Sequence, residues 1–488
     1  MIDGKIVYQA LISRDARFDG LFYVGVTSTG IYCRPVCPAK PPREKNCRFF
    51  SSAEAAEKAA FRPCLRCRPE LAPGNAPVDS SRRVTDLLLQ KIEEGLIENG
   101  ASLEDIATQF SLSSRQLRRI VQKELGVSPM ELKQTRRLLL AKQLLTETTL
   151  PITEIAYASG FASLRRFNAA FSNSYRMPPS RLRKNAGQSP DRLPPQETST
   201  LLLSYRPPYD WKAMLDFLHK RAIKGIEHVD TQSYARTVQL GKHKGWIRVV
   251  QASHQSALKI EFTHSLTPVL PALLRRLRNL FDLTAHPTLI ARHLQQMPLL
   301  QESVSRNPGL RVPGAFDGFE MTVRAILGQQ ITVKAATTLT GRFAAAFGET
   351  VATPFPELSH ITPLPSKVAT ATLDDIASLG IVSTRAGTLL AVAKACTTGA
   401  LQLEAAVHPQ EMIARLIELP GIGAWTAHYI AMRALRWPDA FPKEDVVVRK
   451  NLGGVTAKQA EVMSQAWRPW RSYAVMHIWK NLTPVKEK

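Results

Sequence analysis

Apolar positions along this chain change rhythm several times, and each change marks a segment. Between residues 84 and 184 they keep the helical period in two related copies, "LEDIATQFSLSSRQLRRIVQKELGVSP" and "ITEIAYASGFASLRRFNAAFSNSYRMPP". Ile106 matches Ile155, Leu112 matches Phe161 and Pro129 matches Pro179, at an offset of 49 or 50 residues. Each copy reads as helix, turn, helix, with a long helical run, "MELKQTRRLLLAKQLL", between them. Residues 185–199 lose the periodicity and are rich in Pro, Ser and Gln, as linkers are. Four runs then show β-branched content and partial alternation: "TLLLSYR", "YARTVQL", "GWIRVVQ" and "ALKIEF". They predict an antiparallel sheet with helices packed on it. From Pro268 onward the helical period returns and persists. The pattern predicts a multidomain α+β chain that is mostly helical. Its parts are a small cysteine module at 1–75, a two-lobed helical domain at 84–184, a linker at 185–199, an antiparallel α+β subdomain at 200–285 and an all-α domain at 286–484.

Composition adds a class of partner. A chain of 488 residues is too long for one core, and 44% hydrophobic with 22% charged residues describes an ordinary globular protein. The net charge of +23 divides as +11 over residues 1–190 and +12 over the rest, so it is not a tail. Such an excess favours a polyanion, either nucleic acid or an anionic membrane surface. No stretch approaches the roughly 18 uninterrupted apolar residues of a membrane span. The N-terminus lacks the pattern of a secretory signal, so the reading is a cytoplasmic protein with no membrane partner. Five of the six cysteines precede residue 70 and all seven tryptophans follow residue 210, as if unlike modules had been joined.

Cys33-x3-Cys37 and Cys64-x2-Cys67, 26 residues apart, form a set of four thiols with zinc-type spacing. A module this small has little core, so one bound metal would supply much of its folding energy. Cys47 has no partner at ligand spacing and reads as a buried spectator. The runs "STGIYCRPVCPAK" and "FRPCLRCRPE" resemble the N-terminal domain of the Ada-type DNA methylphosphotriester repair proteins over residues 5–72. That resemblance implies Zn2+ on Cys33, Cys37, Cys64 and Cys67, and a thiolate that takes a methyl group from a DNA phosphotriester and keeps it. Spacing does not choose among the four; position in the family motif points to Cys33. Arg34, Arg62, Arg66 and Arg68 are candidates for holding backbone phosphates.

In the first helical copy Ser113 or Ser114 can cap a helix carrying Arg115, Gln116, Arg118 and Arg119, groups suited to phosphates and guanine edges. Its twin carries Arg165, Arg166 and Asn168. A charged helix face is usually only a solvated face, but the duplication about a long helix resembles the two-lobed AraC-type DNA-binding domain. The resemblance implies two helices in successive major grooves, a promoter or operator as target, and RNA polymerase as a candidate partner of an activator.

From about residue 200 to 484 the chain resembles the AlkA-type 3-methyladenine DNA glycosylases. The runs that carry this are "LLLSYRPPYDWKAMLDFLHKRAIKGIE", "GLRVPGAFDGFEMTVRAILGQQITVKAA", "LPGIGAWTA", "DAFPKEDVVVRK" and "WRPWRSYAVMHIW". "LPGIG" between helices looks like a helix-hairpin-helix, in which Gly421 and Gly423 let backbone amides approach a DNA phosphate. The family also seats a monovalent cation on hairpin carbonyls, here around Leu419 and Ile422. The resemblance makes Asp445 the carboxylate that stabilises the developing oxocarbenium sugar, with Glu444 beside it facing solvent. It places Trp425, Tyr429, Trp470 and Gln329 at the base pocket and Gln330 where the opened stack is wedged. An alkylated purine is cationic and leaves as a neutral base, so one carboxylate suffices where O-glycosidases need two. Hairpin glycosylases that also cut the strand use a lysine two residues after the last hairpin glycine. Here that residue is Trp425, which cannot form a Schiff base, so the expected reaction is monofunctional.

The expected protein is therefore a monomer on double-stranded DNA that joins methyl acceptor, regulator and glycosylase. A second reading is a regulator whose C-terminal domain binds DNA without efficient catalysis. A third is a dedicated glycosylase with a purely structural zinc. No Pro-Cys-His-Arg run occurs, so the alkylguanine methyltransferase domain of full-length Ada proteins is not expected.

Overall fold

The computed structural model describes residues 4–14, 19, 22–69, 84–85, 88, 102–108, 112–185, 197–403 and 409–480. The chain forms two compact units, one of residues 1–92, 100–132 and 464–470, the other of residues 93–99, 133–463 and 471–488.

In the first unit the cysteine module is built on a four-stranded sheet that the apolar pattern did not reveal. Strands β1 (Tyr23–Val26), β2 (Ile31–Cys33), β3 (Cys47–Phe50) and β4 (Arg62–Pro63) lie in the order β3-β1-β2-β4. They are two to four residues long, too short for alternation to register. Helix α1 (Gly4–Ile12) lays Val7 and Leu11 against Phe22, Val24 and the four thiols, and α2 (Ala53–Lys58) closes a second small core of Tyr32, Ala56 and Phe61. The first helix-turn-helix lobe shows α3 (Leu103–Thr108) and α4 (Ser114–Leu125). Ser113 is the cap: its hydroxyl accepts the Gln116 N–H while Gln116 Oε1 accepts the Ser113 N–H, at 3.2 and 2.9 Å.

The second unit contains most of α5 (Pro129–Glu147), then α6 (Ile152–Ala158), α7 (Leu164–Tyr175) and α8 (Pro179–Asn185). Phe167 and Phe171 are fully buried in this second lobe. Residues 186–196 of the expected linker lie outside the described residues, and β5 (Thr198–Ser204) already begins within its last two positions. The sheet has five antiparallel strands in the order β5-β9-β8-β7-β6, with β6 (Glu227–Val229), β7 (Ser233–Leu240), β8 (His243–Gln251) and β9 (Ala257–Thr263). Four strands match the alternating runs; β6, three residues long, is too short to show alternation. Helices α9 (Trp211–His219) and α10 (Leu270–Leu280) bury their apolar stripes on this sheet.

The helical remainder begins with α11 (Pro287–Leu294), α12 (Pro298–Arg306), α13 (Gly318–Leu327) and α14 (Val333–Phe347). It continues through α15 (Pro365–Ala369), α16 (Leu373–Ala377), α17 (Ser383–Thr397) and α18 (Pro409–Ile417). The last are α19 (Ala424–Arg433), α20 (Val446–Asn451), α21 (Ala457–Met463) and α22 (Arg471–Lys480). A buried ionic lock pins α13 to the sheet. Arg236 of β7 meets Glu320 at 2.6 Å, and Arg324 meets Glu320 at 2.8 Å and Glu227 of β6 at 2.5 Å. Burial pushes the Glu320 carboxyl up, but Arg236 and Arg324 outweigh it and hold the group well below the usual carboxylate range. The Thr362 hydroxyl donates to Glu320 as well, at 2.7 Å, so the carboxylate is fully partnered. The lock sets where the end of α13 delivers Gln329 and Gln330.

Candidate functional sites

Asp445 is buried at the N-cap of α20, and both of its oxygens receive N–H donors. Oδ1 accepts from the Val448 backbone at 2.9 Å and from Trp479 Nε1 at 3.2 Å, and Oδ2 accepts from Trp425 Nε1 at 3.0 Å. A carboxylate held by three donors from three elements keeps one orientation. Trp425 and Tyr429, one turn apart on α19, stack at 5.2 Å and 9°, and Tyr429 lies 6.2 Å from Trp479. The loop that carries Asp445 is stapled to α22. Arg471 pairs with buried Asp439 at 2.8 and 3.1 Å, and the Ser472 hydroxyl lies 2.8 and 3.0 Å from the Trp437 and Ala440 carbonyls. The same helix supplies Trp479, so the staple brings the third ring to the carboxylate.

The third ring of the cluster, Trp479, is one that the motifs did not single out; Trp470 is half-buried, with its backbone N–H on the Trp467 carbonyl. Nothing in the run marks one tryptophan from another, and only the packing of α22 turns Trp479 to a carboxylate 34 residues upstream. Glu444 does not simply face solvent: it is half-buried, with Oε2 enclosed and unpartnered. Arg433 was also unforeseen. Its guanidinium donates to the Tyr429 hydroxyl at 2.7 Å and to the Gly314 carbonyl at 3.2 Å. Burial alone would push the Tyr429 phenol up, but Arg433, Arg221 and Arg324 outweigh it and bring it down.

The hairpin lies beside this cluster. Gly421 is exposed at φ +84°, and a Cβ there would come within 2.0 Å of Thr388 Oγ1, which bonds the Pro420 carbonyl at 2.9 Å. Both the left-handed backbone and the close approach to α17 require glycine. Replacing Gly421 by Ala is expected to cost about 2–4 kcal/mol and weaken duplex binding, read by thermal melting and titration with undamaged DNA. A melting point within a degree of wild type would show that the hairpin adapts. Gly423 is exposed and caps α19 without a side-chain hydrogen bond, leaving first-turn N–H groups for an external acceptor. Gln329 Nε2 reaches the Gly421 carbonyl at 2.9 Å and the Thr426 hydroxyl at 3.0 Å, tying the end of α13 to the hairpin. Gln330 stands exposed next to it with φ +54°, a strained conformation for a non-glycine residue and one compatible with a protruding tip. Among the hairpin carbonyls, that of Leu419 takes the Ile422 N–H at 3.1 Å, and those of Pro420 and Gly421 have the partners just given. The expected cation there rests on the resemblance alone.

In the cysteine module the sulfurs of Cys33, Cys37, Cys64 and Cys67 lie within 4.8 Å of one another, all buried, with Cys37 and Cys64 3.9 Å apart and no disulfide among them. A tetrahedral metal with sulfur ligands near 2.3 Å would set edges of about 3.8 Å. Without a cation the set cannot carry its charges together: the hydrogen bond between Cys33 and Cys37 draws the Cys37 thiol down and pushes the Cys33 thiol up. The residues therefore fit a thiophilic metal of the zinc kind. Cys67 is 0% exposed and accepts the Arg34 N–H at 3.4 Å, which leaves it out of reach of a bulky substrate. Cys47 is half-exposed on β3, with its thiol toward the Arg43 carbonyl, so it lies apart from the cluster but is not buried.

Arg34 is a further correction. It is 1% exposed, and its guanidinium pairs with Asp19 (Nε to Oδ1 2.8 Å) and with the Cys67 carbonyl, so it braces the sulfur cluster instead of presenting itself to phosphate. Arg62, Arg66 and Arg68 are exposed. In the first helix-turn-helix lobe Arg115 and Arg118 are exposed on α4, whereas the Gln116 carbonyl oxygen is engaged in the cap. In the second lobe Arg165 and Arg166 are exposed at the start of α7.

Comparison with known proteins agrees with this geometry. Residues 6–70 match the metal-binding domain of Ada, 106–185 a helix-turn-helix domain, 200–317 the AlkA N-terminal domain, and 323–472 the HhH-GPD superfamily of base excision DNA repair proteins. The chain is 36% identical to the probable bifunctional transcriptional activator/DNA repair enzyme AlkA of Mycobacterium tuberculosis, over 99% of this chain and 98% of that one. It is 35% identical to DNA-3-methyladenine glycosylase 2 of Escherichia coli, over 57% of this chain and 95% of that protein. Among solved structures, the 3-methyladenine DNA-glycosylase of Archaeoglobus fulgidus shares the fold, with a TM-score of 0.51 at 17% identity over 57% of this chain and 97% of that one. Among the described residues no helix is long and apolar enough to cross a membrane.

Proposed function

Because this chain belongs to the AlkA-type family of bifunctional transcriptional activators and DNA repair enzymes, its work is DNA repair and the regulation of that repair, and we propose how the two are divided among its residues. The C-terminal module releases alkylated bases, 3-methyladenine among them, by hydrolysis of the N-glycosidic bond. The observation that carries this reading is Asp445, held by three N–H donors beside stacked Trp425 and Tyr429.

The damaged nucleotide must leave the stack to be reached. Gln330 stands at the tip that would occupy the gap, and the hairpin amides near Gly421 and Gly423 hold a backbone phosphate. The cationic base is taken against electron-rich rings, each contact contributing about 0.5–2 kcal/mol. As the C1′–N bond breaks, the base leaves with the bonding electrons as a neutral molecule. The sugar gains positive charge, which the fixed Asp445 carboxylate stabilises without reorganising. Water then adds to C1′. An arrangement in which Asp445 is this well oriented argues against a C-terminal domain that only binds DNA. Trp425 occupies the place of an amine nucleophile, so the reaction ends at the abasic site. Incubated with a methylated duplex, the purified protein is expected to release free base and leave the strand whole until alkali is added; a strand cut before alkali would reject the monofunctional reading.

The N-terminal module is the methyl acceptor. Zinc bound by Cys33, Cys37, Cys64 and Cys67 would keep sulfur as the thiolate, the nucleophilic form. The Cys33 sulfur attacks the methyl carbon of a phosphotriester; the S–C bond forms as the C–O bond breaks, and the phosphodiester oxygen leaves with the electron pair. Exposed Arg62, Arg66 and Arg68 hold neighbouring phosphates, and the two helix-turn-helix lobes place the chain on a promoter through Arg115, Arg118, Arg165 and Arg166.

A further inference from the structure

The last strand of the glycosylase sheet is open on one side: β5 pairs with β9 and forms the end of the strand order. An open edge leaves backbone donors and acceptors unpaired, and proteins cover such edges. Here the cover comes from the regulatory half. Gln143 Nε2 on α5 donates to the Leu202 carbonyl at 2.8 Å, and the Leu202 N–H donates to Glu147 Oε2 at 2.8 Å. Gln143 also donates to Glu147, at 3.1 Å, so the two side chains act as one cap on a single strand residue. Leu140, Gln143 and Glu147 are three and four residues apart and share one face of the helix. Around this polar pair the apolar contact is continuous. Leu138, Leu144, Leu145, Leu150 and Ile155 of the lobe belong to the same buried cluster as Leu201, Leu203 and Leu258 of the sheet. Helix α6 packs in addition on the 3-10 turn His264–Val269.

We propose that the second helix-turn-helix lobe and the glycosylase module form one DNA-binding body. They are joined by docking of α5 on the open edge of β5 and of α6 on the 3-10 turn His264–Val269, and not merely by the covalent connection through residues 186–196. The docked faces are α5 and α6, so the exposed Arg165, Arg166 and Asn168 of α7 remain free. The exposed hairpin glycines belong to the same compact unit. Two DNA-contacting surfaces on one body bind as a chelate, and their combined affinity does not depend on the linker. The DNA arm of this inference rests on the function proposed above; the docking arm does not.

The test places a protease recognition sequence within residues 186–196 of the full-length chain and cuts it. Expected for wild type: the halves co-elute at micromolar concentration, the Leu202 amide stays protected from exchange, and affinity for an undamaged duplex changes less than twofold. Expected for the Gln143→Ala/Glu147→Ala pair, or that pair with Leu140→Asp: the halves separate after cutting, Leu202 exchanges faster, and duplex affinity falls at least tenfold. Protected α7 amides in the same exchange experiment show that the lobe itself is still folded. Halves that part when the wild type is cut, or that stay joined in both variants, overturn the docking. Docking with no loss of duplex affinity on separation overturns the coupling alone, whatever the base-release activity.

Discussion

Replacing Asp445 by Asn lowers release of 3-methyladenine from a methylated duplex by about 10³-fold, while binding to undamaged duplex persists. The size of the effect follows from where the charge forms. In the transition state the sugar is cationic, and a buried, pre-oriented carboxylate interacts with it far more strongly than water would. The amide keeps the shape and loses the charge. It also brings a structural cost, because all three partners of Asp445 are N–H donors. With the amide oxygen on Val448 and Trp479, the new NH2 must face Trp425 Nε1. That clash leaves a buried donor unsatisfied and costs about 1–3 kcal/mol. Adding Trp425→Phe removes the opposing N–H and should restore melting temperature without restoring excision, which separates stability from chemistry. A single Asp445→Asn variant retaining more than a tenth of the wild-type rate would end the assigned role.

Replacing Cys33 by Ser abolishes uptake of methyl groups from phosphotriester-bearing DNA, whereas the wild type gains one methyl per chain, located on Cys33 by peptide mass spectrometry. Base release is unchanged in the same variant, because Asp445 belongs to the other compact unit. Geometry narrows the candidates before the experiment: Cys67 has no exposed surface, and its sulfur already accepts an N–H bond. Zinc removal is expected to unfold this module. Among the described residues its apolar core is two small clusters, and structural zinc supplies on the order of 10 kcal/mol to such modules. Chelation should therefore remove the lowest thermal transition and leave excision intact. A methyl group found on Cys37 or Cys64 would reassign the acceptor, and an unchanged melting profile after chelation would show that the module folds without metal.

Much of this was legible in the residues. Helical periodicity and the internal repeat placed both helix-turn-helix lobes, because a helix of 12 residues shows its buried face in the sequence, as α4 and α7 do. The four long strands of the larger sheet alternated enough to be seen. The four strands of the cysteine module did not, since their fold is set by pairings between short segments and by the sulfur cluster. Among site residues, Asp445, Trp425 and Tyr429 lie together in the structure. Arg34 illustrates the opposite case. An arginine beside a reactive cysteine reads as a phosphate ligand until Asp19, 15 residues away, is found paired with it.

The sequence by itself determined which groups are present: four thiols at metal spacing, a hairpin with glycine where the backbone turns left-handed, and an aspartate and a tryptophan in runs that resemble glycosylase motifs. These are local properties, carried by residue types at short fixed separations. Tertiary structure alone decided which groups face one another. It brought Trp479 to Asp445, turned Arg34 inward onto Asp19, and set Gln143 of α5 on the open edge of β5. Each of these depends on how separate elements pack, with partners 15 to 59 residues apart brought together by the burial of apolar faces. No short pattern encodes that geometry, because it belongs to the packed chain and not to any segment of it.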